Sequence, residues 1–351
     1  MRGNYPQMRD RFPVAVDDPM CKGVVLWPEN SHQDTLMLDY FSAIGWNPSQ
    51  YKIEEFLPGF CRRRYGADKS GPMYAFWKRM LPILPSDSWH LCCGKVEPLY
   101  GDYPAVYARF RGDVFCKIND RRLRYFRDKE KVLAPLRVDM ATLLNDLAAV
   151  EWTSADERVR RDCVDMARAI LGRLLEGEIA RLGLAIHERS SLPPESSHER
   201  IAAANDAIRL RMRRFREYQI ALADILETLP EFSLYDSLLR IQAVKPFNPN
   251  FERTLKENSS VWYCRSQIYE QIRHLGTLDY AVLEKFLECA MADSKGFADL
   301  DQKEKCLNDQ FDDARSRFFD IPLSEMKPRD EDTRESFSET LKKVAALPSK
   351  P

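Results

Sequence analysis

A mainly α-helical chain with one short buried strand near its start is what the sequence predicts, and three observations carry that expectation. Glycine is scarce, 14 of 351 residues, against an average of about 7%. Such scarcity disfavours turn-rich β architectures and glycine-loop nucleotide folds. Long stretches beyond residue 130 repeat their apolar residues at helical spacing, the mark of amphipathic helices. One four-residue apolar run, Val24–Trp27, stands between Gly23 and Pro28, the pattern of a strand buried on both faces.

Along the chain, the first twenty residues are rich in proline and charge and show no period. After the expected strand at 23–27, Leu36, Met37, Tyr40, Phe41 and Ile44 recur at helical spacing and stop near Gly45 and Pro48. Residues 23–45 therefore read as one strand–loop–helix unit. From residue 51 the pattern turns helical, with Ile53, Phe56, Leu57 and Phe60 leading to a glycine stop at Tyr65-Gly66. Tyr74, Phe76, Trp77, Met80 and Leu81 predict a further helix, ended by Pro82 and Pro85. Residues 85–120 are the least regular, and Val106–Phe110 reads equally as strand or loop.

Three long periodic segments follow. Val138, Leu143, Leu144 and Leu147 mark the first. Val159, Cys163, Met166, Ile170, Leu171, Leu174 and Ile179 mark the second, with Thr153 and Ser154 as cap candidates. Ile201, Ile208, Met212, Phe215, Leu222, Ile225 and Leu229 mark the third, and Ser190–Ser197 breaks the chain between the last two. Two more helices are expected near 251–274 and 278–292. Such stripes bury against one another as a bundle. The last thirty residues, charged and poor in apolar groups, are expected to fray.

Composition narrows function. Lys+Arg number 53 and Asp+Glu 54, so the formal charge is −1. A dedicated nucleic-acid or membrane-surface binder would carry an electrostatic excess, so no nucleic-acid partner is expected. No apolar run approaches the roughly 20 residues of a membrane span. No apolar signal segment opens the chain, and compartment is left open. The nine cysteines contain no C-x-x-C pair and the five histidines no zinc-ligand spacing, so neither a metal nor a cofactor is expected. Arg209–Arg216 is basic with interleaved apolar residues, which reads as a solvated helix face. Glu29 is the sharpest catalytic candidate, because it follows the expected strand directly, and catalytic groups project from that end of strands in parallel sheets and barrels. Its bland alternative, shared with Asp34, is to cap the next helix.

Several short segments, in order, resemble the alpha-N-acetylglucosaminidases of glycoside hydrolase family eighty-nine. Pro28-Glu29-Asn30-Ser-His-Gln33-Asp34 is similar to that family's Pro-Glu-Gly-x-x-Gln-Asn loop, with Asn30 and Asp34 as departures. Trp46 and Phe60–Gly66 resemble its Trp and its Arg-Arg-Tyr-Gly helix end. Arg161-Asp162-Cys-Val-Asp165-Met-Ala-Arg168 resembles a Tyr-Asp-Leu-x-Asp-x-x-Arg helix, and Ala221–Leu234, Glu257–Ser259 and Leu278–Ala281 resemble later pieces. The Trp-Gly expected past Asn258 is replaced by Trp262-Tyr263.

The resemblance implies the C-terminal portion of a retaining glycosidase acting on terminal alpha-linked N-acetylglucosamine. Residues 1–50 would be the remnant of a (β/α)8 barrel, its last strand–helix unit. Residues 51–310 would form an all-α domain, and 311–351 a charged, partly disordered tail. Glu29 would be the nucleophile, with Trp27, Asn30, Gln33, Asp34 and Trp262 against the substrate. Retaining hydrolysis needs two carboxylates roughly 5–5.5 Å apart. The family's acid/base lies on the earlier part of its barrel, so the partners this implies besides carbohydrate are an upstream barrel segment or a homo-oligomer. The alternatives are another barrel glycosidase, such as an alpha-glucuronidase, or a non-catalytic helical module that binds carbohydrate or a protein.

Overall fold

The computed structural model describes residues 5–25, 35–46, 52–84, 115–116, 118, 120–150, 156–245, 248, 250–260, 268–293, 296–297 and 300–347. The chain enters as α1 (Tyr5–Asp17), α2 (Thr35–Trp46) and α3 (Ile53–Met80). After residue 119 come α4 (Asp120–Leu133), α5 (Arg137–Ala148), α6 (Glu157–Ser190) and α7 (His198–Leu226). The order ends with α8 (Tyr235–Gln242), α9 (Asn250–Ser260), α10 (Gly276–Ala292), α11 (Leu300–Asp320) and α12 (Phe337–Ala345). The fold is mainly helical, and no strand occurs among the described residues.

α6 is the axis of the bundle, with α3, α4, α5 and α7 packed against it. Its apolar stripe, Val159 through Ile179, is buried as the spacing predicts. The helix begins on Asp156, whose carboxylate accepts from the Arg158 N–H. The cap expected at Thr153 and Ser154 lies outside the described residues. α6 and α4 approach so closely that a Cβ on Gly183 would fall 2.3 Å from the Phe126 ring. α7 starts on Ser197, whose hydroxyl accepts from the Arg200 N–H, just past the break expected at 190–197.

α3 fuses the two helices expected at 53–65 and 74–81. At Gly66 the backbone turns to φ 76°, ψ 176°, a conformation essentially confined to glycine. The glycine stop therefore acts as a kink rather than an end. A π turn over Gln271–Leu275 leads into α10, so this helix starts earlier than the expected 278. Gln219 Nε2 on α7 donates to the Ile272 carbonyl at 3.1 Å, taking up an acceptor in the widened turn.

Several expectations differ from the structure. The first twenty residues hold α1 despite Pro13 within it. Tyr5 and Phe12 dock edge-to-face on Tyr40 and Phe41, with centroids 5.5 and 5.1 Å apart. Tertiary burial of two aromatics thus overrides a weak local pattern. Val138, expected in the core, is exposed. Gly23, Val24 and Val25, the start of the expected strand, are irregular, and both valines face solvent. A two-sided strand needs neighbours for its backbone groups, and no described segment supplies them.

The tail expected to be partly disordered is folded through residue 347. α12 opens with a capping box between Ser336 and Glu339 and buries Phe337, Leu341 and Val344. It packs on α5 and α7. Upstream of it, Arg329 donates to Glu227 through Nη2 at 2.7 Å, and Arg334 Nη1 donates to the Glu227 carbonyl at 2.6 Å. Against burial, the Arg329 hydrogen bonds and the charges of Arg329 and Arg273 hold the Glu227 carboxyl below the usual range. Sparse apolar residues at helical spacing, rather than their total number, decide that the tail folds.

Candidate functional site

The site residues expected from the sequence, Glu29, Trp27, Asn30, Gln33, Asp34 and Trp262, all lie outside the described residues. Two sites stand out among the described residues, an exposed groove and a buried charged network.

The exposed one is a groove of about 440 Å³ between α2 and α3, lined by residues that include Asp39, Ser42, Trp46, Glu55, Phe56 and Arg63. Helical spacing places Asp39, Ser42 and Trp46 on one face of α2, three and four residues apart. Pro58 and Gly59 follow on α3 without interrupting it. Arg63 Nη2 donates to Asp39 Oδ2 at 2.8 Å across the two helices. The same guanidinium lies 5.3 Å from the Phe56 ring centroid, a cation–π contact that holds the fork in place. Trp46 closes one end and is 92% exposed, an uncommon placement for the largest aromatic side chain. Arg63, Asp39 and Glu55 therefore present donors and acceptors beside an open indole face.

Beneath the groove, α3 is bolted to α6 at Asp162, which is wholly buried. Arg64 Nη2 donates to it at 2.9 Å, Arg161 Nη1 at 3.2 Å and Thr35 Oγ1 at 3.3 Å, and the Tyr65 hydroxyl donates as well. Trp77 Nε1 in turn donates to the Tyr65 oxygen at 2.8 Å. Across the kink at Gly66, Trp77 on the far arm of α3 bonds to Tyr65, which with Arg64 on the near arm reaches the carboxylate. Burial pushes the Tyr65 hydroxyl well above its ordinary value, and the Asp162 charge adds to the shift. Burial, again with Asp162, pushes the Cys61 and Cys163 thiols up to about 12, so neither is a nucleophile.

One turn along α6, Asp165 accepts from Arg168 Nε at 3.0 Å and from Arg161 at 3.4 Å. Arg161 also donates to Glu231 at 3.1 Å, and the Arg168 guanidinium lies 5.0 Å from the Phe232 centroid. Three of the resembling segments thus meet: Arg64-Tyr65-Gly66, Arg161–Arg168 and Phe232. Thr35, next after the Glu29–Asp34 loop, is tied to the same carboxylate. A charged network this extensively hydrogen-bonded fixes the elements that carry it. Among the described residues, no three His, Cys, Asp or Glu side chains gather as metal ligands. Nor, among the described residues, is any helix long and apolar enough to cross a membrane.

The groove was legible only in part. Trp46 and Arg63 stand in the resembling segments, whereas Asp39 and Glu55 carry no sequence signal beyond an exposed position on a helix. No family model, no curated protein and no solved structure matches the chain.

Proposed function

We propose that this chain is a carbohydrate-binding helical module, and that the groove between α2 and α3 receives the sugar. The observation that carries the reading is Trp46, an exposed indole beside the Arg63–Asp39 pair and Glu55. An aromatic face packs on the apolar C–H face of a pyranose. Carboxylate and guanidinium groups at its edge make charge-assisted hydrogen bonds to ring hydroxyls. Because the groove is open, binding is weak, with Kd on the order of 1 mM. Titrating the full chain with methyl alpha-N-acetylglucosaminide and a panel of other monosaccharides, followed by tryptophan fluorescence and calorimetry, tests this. Saturable binding that Trp46→Ala removes is the expected result. No saturable response to any sugar up to about 50 mM, well above that Kd, overturns it.

A second reading deepens the first, and the convergence of the resembling segments at Asp162 favours it. Here the module is the C-terminal portion of a retaining, alpha-N-acetylglucosaminidase-like hydrolase. Residues 1–50 are then the end of a (β/α)8 barrel completed from elsewhere, with Glu29 as nucleophile. The exposed, irregular Val24 and Val25 weigh against that placement in the chain taken by itself. The chain alone does not turn over an aryl alpha-N-acetylglucosaminide on this reading. Supplied with the upstream segment it does, and Glu29→Gln abolishes turnover. Undiminished activity of that variant removes Glu29 from the mechanism.

A further inference from the structure

A second charged cluster lies farther along α6, where α4, α5, α6 and α7 meet. Glu178 forms its floor and is wholly buried. Arg181 pairs with Glu178 and stands 3.8 Å from Glu130. Arg137 pairs with Glu130, and Arg211 Nη1 approaches Glu178 at 3.6 Å. That Arg211 nitrogen is buried and faces Glu178 Oε2 itself, the two forming an ion pair too long to be a hydrogen bond. Three guanidinium groups therefore share two carboxylates, and the buried Arg214 adds its charge to the field at Glu178.

The imbalance shows in the groups themselves. Burial, helped by the positive charges of Arg137 and Arg211, holds Arg181 below the ordinary guanidinium value even though Glu178 opposes the shift. Crowded like charges of this kind disfavour one another unless an anion joins them. The three side chains keep an edge in solvent, at 21%, 14% and 24% exposure for Arg137, Arg181 and Arg211. An anion can reach that edge without opening the core.

We propose that Arg137, Arg181 and Arg211 form a binding site for a small phosphate-bearing anion, seated over Glu178 at the junction of the four helices. Guanidinium forks arriving from three helices match the several oxygens of a tetrahedral phosphate, whereas a carboxylate fills only one fork. A long nucleic acid does not suit the site. Along the basic stretch of α7, Arg209 is spent on Glu288 at 3.0 Å and Arg216 on Thr277 and Gln219 at 3.1 Å. The stretch is thus divided among neighbours and presents no continuous face, which also revises the solvated face expected from the sequence.

The test is calorimetric titration of the full chain with inorganic phosphate and with pyrophosphate, at ionic strength held constant with sodium chloride. Saturable binding with Kd below about 1 mM is expected. Arg211→Gln, a partly exposed position, should weaken it about tenfold or more while circular dichroism and melting stay as in the wild type. Glu130→Gln removes a competing carboxylate and should tighten binding severalfold, a gain that misfolding cannot produce. The proposal is overturned by absence of saturable phosphate binding, by equal binding of acetate, by unchanged affinity in Arg211→Gln, or by no tightening in Glu130→Gln.

Discussion

Asp162 and Glu178 are two carboxylates on one helix, both wholly buried, in opposite surroundings. Asp162 accepts from Arg64, Arg161, Thr35 and Tyr65, so its oxygens are saturated by donors from α2, α3 and α6 itself. Glu178 has one hydrogen-bonded guanidinium, from Arg181, and a second nearby that makes no hydrogen bond. Burial accordingly wins at Glu178 and pushes its carboxyl above the usual range against four arginines. A buried charge becomes a structural anchor only when hydrogen bonds replace the water it loses. At Glu178 that replacement is incomplete.

The comparison breaks most visibly at the anchor. Asp162→Asn removes the charge that Arg64 and Arg161 face and should cost about 3–5 kcal/mol, read as a drop in the urea midpoint at unchanged slope. A loss under 1 kcal/mol would show that the network is ornamental. Gly66→Ala forces a side chain onto positive φ where the kink delivers Arg64 and Tyr65, and about 1–3 kcal/mol is expected by the same measurement.

Glu178→Gln should cost less than Asp162→Asn, because the carboxyl it replaces has fewer hydrogen bonds to lose and burial opposes its charge. The pH dependence carries the sign. A carboxyl raised in the folded state binds its proton more tightly there than in the unfolded chain. Its contribution is therefore fully present below the unfolded value and is lost as pH rises through the folded one. Wild-type stability should fall relative to Glu178→Gln from about pH 4.5 upward, as followed by urea unfolding at successive pH values. A gap that does not change with pH would remove the difference between the two carboxylates. The smallest effect is at the exposed groove, where Trp46→Ala should change stability by less than about 0.5 kcal/mol while abolishing sugar binding.

The sequence displayed the parts of this molecule that depend on one-dimensional pattern. The stripes of α6 and α7 were legible because a helix buried along one face must repeat its apolar residues. The glycine at 66 was legible as an interruption, though whether it ends or kinks a helix depends on what packs beyond it. α1 and α12 were not legible, since a few aromatic or aliphatic residues among many charges form a helix only when a partner surface exists. The candidate sites followed the same division. Trp46 and Arg63 stand out in their segments, but the Arg63–Asp39 pair and the Asp162 donors come from segments far apart in the chain. The gathering of Arg137, Arg181 and Arg211 around Glu130 and Glu178 is a property of three-dimensional packing that no spacing records.

The C-terminal strap has a consequence for biosynthesis. Because α12 closes over α5 and α7, and Arg329 and Arg334 seal Glu227, the bundle cannot finish assembling until α12 clears the ribosome. Nascent chains halted before residue 337 would display the bare apolar flank of α5 and α7 to chaperones and proteases.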